Sequence, residues 1–224
     1  MKMSTESLLR CLLLLIGCLS LKQFFLPHGP SEMPPDLSVR QSQRSYELSE
    51  LRSIKPNNSS FPYAYAFVIS GCDPSPSMNG YQGFVYNIMA SANVLKNEGS
   101  RADIIAIFQM SAASNASRIE AKEEEYLEKM GVRVAYLPKA TTDSFYHGTL
   151  QKFSILELTH YDRVLFLDGD VLPAASLDYL FVASATGLLK PNVGVAGRLE
   201  PANAGVFLLR PRAGDYASIQ KIIK

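Results

Sequence analysis

Cysteine and net charge are both scarce in this chain. Its 224 residues include three cysteines and carry a formal net charge of +1. Cys11 and Cys18 sit in an apolar N-terminal segment, so Cys72 is alone in the remainder. A disulfide framework within the body is thereby excluded, whatever the compartment. Cys72 reads as a small residue in a loop rather than a catalytic thiol. A near-neutral charge balance gives no electrostatic footprint for nucleic acid, which excludes that class of partner. There is no internal repeat. His147 and His160 match no metal spacing, and both read as structural.

Long apolar runs are missing as well. The uninterrupted apolar core of the N-terminus, Cys11 to Leu21, is short for a membrane span. A span takes ~20 residues, and the core of a signal peptide only ~7–15. Snorkelling of Arg10 and Lys22 would stretch the wider segment, Leu8 to Leu26, across a bilayer. Lys2 and Arg10 before the core bias the N-terminus toward the cytoplasm. The expectation is a signal anchor over 1–26. A cleaved signal, cut after Ser20, is the alternative and implies a secreted product. Leu15-Ile16-Gly17-Cys18 also resembles a bacterial lipoprotein box. Every route takes the body out of the cytosol. The Asn-x-Ser triplets at Asn57, Asn58 and Asn115 agree with that.

What the chain does have is the composition of a folded domain, 47% hydrophobic and 19% charged. Residues 27–60 are rich in Pro, Ser and polar residues and read as a stem or linker, with a helical turn or two over Tyr46 to Ile54. From Phe61 the character changes, and 61–224 is expected to be one domain. Tyr63 to Ser70 is a buried first strand, and Tyr81 to Asn97 a helix with Phe84, Ile88, Ala92 and Leu95 on one face. "ADIIAIF" is a second strand. Ser117 to Glu120 matches a capping box that opens a charged helix ending at Gly131. "VRVAYLP" is a third strand, Gly148 to Thr159 a helix, and "VLFLD" a fourth strand. A short helix over Ala175 to Phe181 begins near Pro173, and two later strands follow in "NVGVAG" and "AGVFLLRP". Strands and helices alternate, so the fold class is α/β with a parallel sheet.

The fourth strand runs into Asp168-Gly169-Asp170. In an open parallel sheet, ligands bind beyond the carboxyl ends of the strands. In extended backbone, residues two apart point the same way, so both carboxylates can face one ligand. Gly169 permits close backbone approach. Two hard oxygen ligands suit Mg²⁺ or Mn²⁺, ions that also take phosphate oxygens. An ordinary Asp-Gly turn with one Asp capping the next helix is the plain alternative. Haloacid-dehalogenase-like phosphatases also place Asp-x-Asp after an apolar strand. Their pattern puts Thr or Val where this chain has Leu172, and their motif opens the domain.

The longer context, "LQKFSILELTHYDRVLFLDGDVLPAASLDYLF", resembles glycogenin-like, family-8 glycosyltransferases. The matching elements are Lys152, Tyr161, Asp168, Asp170, Leu177, Asp178, Leu180 and Phe181. "ANAGVFLLRP" is similar to the family's strand at Asn203, Ala204, Gly205 and Val206, and Tyr81-Gln82-Gly83 to its opening. The similarity runs from about Tyr63 to Pro211. It implies a GT-A (Rossmann-like) fold with a mixed, mostly parallel sheet flanked by helices. It implies a UDP-sugar donor, Mn²⁺ or Mg²⁺, and transfer with retention to a glycan, protein or lipid acceptor. By position, Asp168 and Asp170 would bind the metal, Asp168 also the donor ribose, and Lys152 the diphosphate. Tyr81 would contact the base, and Asn203 the donor sugar or acceptor. Asp178 reads as a helix-surface or capping residue. With the anchor, the resemblance implies a single-pass type II protein of the Golgi or another secretory membrane.

The chain departs from the family after the last strand. Members continue with an "Asp-Gln" segment and a "His-x-x-Gly-x-x-Lys-Pro" motif, and neither occurs before Lys224. The expectation is a truncated chain, because "PRAGDYASIQKIIK" starts a helix that stops without a C-cap. The alternative is a catalytically inactive nucleotide-sugar-binding or scaffold protein of the same fold.

Overall fold

Period-two burial on both faces is what makes the strands read as continuous apolar runs. The computed structural model describes residues 48–189, 193–195 and 203–223. It contains strands β1 (Tyr63–Cys72), β2 (Asp103–Met110), β3 (Val132–Tyr136), β4 (Arg163–Leu167), β5 (Val193–Val195) and β6 (Asn203–Leu209). They form one sheet in the order β3-β2-β1-β4-β6-β5. β1 to β4 run parallel, and β6 runs antiparallel to both β4 and β5. Along β1, Tyr65, Phe67 and Ile69 enter one core while Ala64 and Ala66 enter the other. β2 and β4 split in the same way, with Leu165 and Leu167 on the first face and Val164 and Phe166 on the second.

Helices α1 (Leu48–Ser53), α2 (Gln82–Asn97), α3 (Ala121–Lys129), α4 (Phe145–Leu150), α5 (Asp178–Ala185) and α6 (Asp215–Ile223) surround the sheet. Ile88, Met89, Ala92 and Leu95 of α2 and Leu127 of α3 fill the first core. Leu51 of α1 and a 3₁₀ segment, Gln151–Glu157, fill the second. The expected anchor, and the stem as far as residue 47, lie outside the described residues. No helix among the described residues is long and apolar enough to cross a membrane. Within the expected stem, α1 falls where a helical turn was expected, and its Arg52 pairs with Glu157 of the 3₁₀ segment.

Several local expectations need correction. The capping box does not form. Glu120 is the N-cap residue and makes no side-chain cap bond. Ile119 enters the core, and Arg118 instead pairs with Glu124 and lies 5.1 Å from the Tyr136 ring. The helix expected over 148–159 begins at Phe145 and tightens to 3₁₀ at Gln151. Three residues per turn then put Lys152, Ile155 and Leu158 on one buried side. The helix expected from Ala175 starts instead at Asp178. Its start is tied by tertiary bonds, since Leu177 N–H donates to Tyr65 Oη at 2.9 Å. Asp178 accepts from Tyr65 Oη at 2.8 Å, Ser100 Oγ at 2.7 Å and Arg101 N–H at 2.9 Å. It is therefore a link between three elements rather than a surface residue. Cys72 ends β1, fully buried, rather than sitting in a loop, and burial pushes its thiol up to about 12.

Candidate functional site

The chain proceeds from β1 to β2 and β3 on one side of the sheet, and returns to place β4 on the other side of β1. The resulting switch point, between the carboxyl ends of β1 and β4, is where open α/β sheets leave a crevice. A cleft of about 640 Å³ opens there. Its walls come from the end of β1 (Val68 to Gly71), the end of β2 (Gln109, Ser111), the start of α2 (Phe84), the segment Ala140 to Lys152, and Asp168, Gly169 and Asp170.

Both acids reach the cleft, but not by extended alternation. β4 ends at Leu167, and Val171 N–H donates to Asp168 O at 2.9 Å, which closes a turn over the acids. Asp168 N–H donates to Gly205 O of β6 at 2.8 Å. Gly169 leaves room for two neighbouring side chains. A Cβ there would lie 2.5 Å from Ile69 Cδ1 and 2.8 Å from Phe84 Cδ1. Phe84, expected in the core, is 41% exposed and forms part of the cleft wall. One turn further along α2, Asn87 Nδ2 donates to Gly169 O at 2.8 Å and to Val171 O at 3.0 Å.

Asp168 continues the face of Phe166, the same face on which the 3₁₀ segment packs. Lys152 is 7% exposed, so it is no solvated helix charge. Its Nζ lies 3.5 Å from Asp168 Oδ2, donates to Ala204 O at 3.1 Å, and sits 5.4 Å from the Phe166 ring centre. Burial holds the Asp168 carboxyl above its ordinary range. Lys152 works against that shift, and the neighbouring Asp170 adds to it. Asp170 is exposed at the cleft mouth.

Tyr81 is not brought to the cleft. Its ring is 4% exposed, packed in the first core, and its hydroxyl donates to Glu123 of α3 at 2.6 Å. The ring faces inward, its polar end held by Glu123, and it is not among the residues that line the cleft. The backbone of Asn203 opens β6, and its side chain lies outside the described residues. The opposite wall holds a group the sequence did not flag. Asp143 accepts from Ala112 N–H at 2.8 Å, Ser111 Oγ at 3.0 Å and Ala113 N–H at 3.3 Å. The Ala112 amide bond leads the causes that keep its carboxyl below the usual range.

The donor set suits a hard divalent ion. Asp168 and Asp170 supply oxygen from one turn, and among the described residues no His or Cys lines the cleft with them. Among the described residues, no cluster of three or more His, Cys, Asp or Glu is placed to hold a metal. Such an ion would draw its remaining ligands from elsewhere, as a phosphate-bound Mg²⁺ or Mn²⁺ commonly does.

No family model matches the chain. Two Arabidopsis thaliana proteins, UDP-glucuronate:xylan alpha-glucuronosyltransferases 1 and 2, match it at 27% identity over 147 residues and 28% over 145. The matches take in 60% and 63% of this chain. The chain spans about a fifth of the length of these curated relatives, 21% and 22%. Among solved structures, the apo glycosyltransferase GlyE of Streptococcus pneumoniae aligns over 72% of this chain and 37% of its own, at 19% identity and a TM-score of 0.45. A galactosyltransferase solved with donor and acceptor sugar analogues aligns over 72% of this chain and 66% of its own, at 14% identity and a TM-score of 0.37. These two Arabidopsis matches are glycosyltransferases by name, in agreement with the glycogenin-like, family-8 resemblance of the acid-bearing stretch.

Proposed function

We propose that this chain, related in sequence to glycosyltransferases, forms the donor-binding part of a metal-dependent enzyme that moves a sugar from a UDP-sugar to a glycan, protein or lipid acceptor, with retention. The observation that carries the reading is the turn at the end of β4. It sets Asp168 and Asp170 in a cleft at the sheet's switch point, with the buried ammonium of Lys152 beside Asp168. A UDP-sugar donor is supported by the relatives' names, both of which specify UDP-glucuronate. The apolar segment before residue 27 favours a secretory-pathway membrane, the Golgi among them, as the place of work.

The roles follow from charge. Breaking the bond between sugar and diphosphate leaves negative charge on the departing phosphate oxygens. Asp168 and Asp170 would hold Mn²⁺ or Mg²⁺, which when bound supplies Lewis-acid neutralisation of that charge. Lys152 is oriented by Asp168 and the Ala204 carbonyl, and its ammonium is sheltered from water. A charge so placed acts on a diphosphate more strongly than a solvated one. Asn203, at the start of β6, is proposed to contact the donor sugar or acceptor.

The test is calorimetric titration of UDP into the full chain, with and without Mn²⁺. Metal-dependent binding that disappears in Asp170→Ala is the expected result. Binding that is indifferent to both the metal and the substitution would overturn the reading.

A further inference from the structure

We propose that Asn87 is a positioning residue that holds the acid-bearing turn in its metal-binding shape. The inference rests on the donor-site reading above and concerns a residue outside the Asp-Gly-Asp motif. Asn87 lies within α2, on the other side of the turn from Lys152. Its Nδ2 donates to Gly169 O at 2.8 Å and to Val171 O at 3.0 Å. Both partners are carbonyls, so only the nitrogen end of the amide can face them, and the orientation of the side chain is fixed. The gripped carbonyls flank Asp170 in sequence.

Apart from the Val171 N–H to Asp168 O bond that closes the turn, its other contacts hold Asp168 rather than Asp170. Asp168 is anchored through its own N–H to Gly205 O and through its carboxylate to Lys152. Asp170 is exposed and sits past the end of β4, where the sheet no longer holds the backbone. α2 supplies what the sheet does not. The Phe84 ring occupies the space a Cβ on residue 169 would take, and Asn87, one turn later, takes the carbonyls on either side of Asp170. Partners that orient the ligands of a metal contribute to affinity without touching the ion.

Two substitutions separate positioning from plain structural support. Asn87→Leu keeps the shape of the side chain and removes both donors. Asn87→Asp keeps the shape and turns an acceptor toward two carbonyls. Three quantities are measured on the full chain: UDP affinity with Mn²⁺, UDP affinity without metal, and the thermal midpoint. Amide hydrogen exchange over 168–172 is followed in the ligand-free protein. The expected result is a metal-dependent affinity weakened by about 10–100-fold in both variants, with metal-free affinity unchanged and exchange faster over 168–172 than elsewhere in the sheet. If the wild type binds UDP in a metal-dependent way and the variants bind as well, the inference is overturned and the donor-site reading stands. If the wild type shows no metal-dependent binding, the donor-site reading fails and takes this inference with it. Failure of both variants to fold would make Asn87 a core residue and overturn its assignment as a positioning residue.

Discussion

Asp168 is pulled in opposite directions, and the balance predicts a pH dependence. Burial raises its proton affinity, Lys152 lowers it, and Asp170 raises it again. A metal takes the ionised carboxylate, so metal-dependent UDP binding should fail as pH drops toward the raised pKa of Asp168. Lys152→Met removes the lowering influence and pushes that pKa higher. The acid limb of a binding-versus-pH curve should therefore move to higher pH in the variant. An unmoved limb would show that Lys152 does not act on Asp168. The sign for folding runs the other way. An acid whose pKa is higher folded than unfolded stabilises the fold while protonated, and that contribution is lost as pH rises through the window. With the Asp168 side chain 37% exposed, solvent screening keeps that term small.

At the scale of elements, the site depends on two helices of different origin in the sequence. α2 follows β1 directly and supports the acid turn from one side. The 3₁₀ segment carrying Lys152 supports it from the other, and α1 and α6 in turn brace that segment. Arg52 pairs with Glu157, and Tyr216 Oη donates to Gln151 Oε1 at 3.0 Å. α1 stands where Pro, Ser and polar residues dominate, so composition marks it as linker while Leu51 is fully buried. Leu51→Ala should lower the unfolding free energy by about 2–5 kcal/mol, as deletion of a buried leucine side chain does. Denaturant unfolding measures it, and calorimetry on the folded variant should return the wild-type UDP affinity. A large loss of affinity would mean that α1 shapes the cleft as well as the core.

For the molecule as a whole, both cores pack on the same sheet, and the cleft lies at the edge where its central strands end. A ligand held there should stabilise the entire body. UDP with Mn²⁺ at a hundred times its Kd should add about 2.7 kcal/mol to the unfolding free energy, in one transition rather than two. Scanning calorimetry at rising ligand concentration checks it. A shift confined to part of the heat absorption would show that the two faces unfold separately.

The strands, the alternation of strand and helix, and the acid pair were legible in the residues themselves. They depend on local order along the chain: short apolar runs rich in β-branched and aromatic residues, and an acid pair at the end of one of them, read as extended where the structure forms a turn. Lys152 was legible only through the longer resemblance, because a lysine in a helical stretch looks solvated until its surroundings are known. Tyr81 and Phe84, three residues apart, ended up with exchanged places, the tyrosine buried and the phenylalanine at the cleft. The local pattern could not show that, because the partner that draws Tyr81 inward, Glu123, lies 42 positions away. Asn87 carried no signal at all, since an asparagine within a helix is a plain surface residue until a turn 82 positions later presents carbonyls to it. Local residue order was enough to set which segments become strands and that two acids leave β4 together. What faces those acids was settled by folding, because hydrogen-bond partners and burial are set by chain segments brought together from far apart.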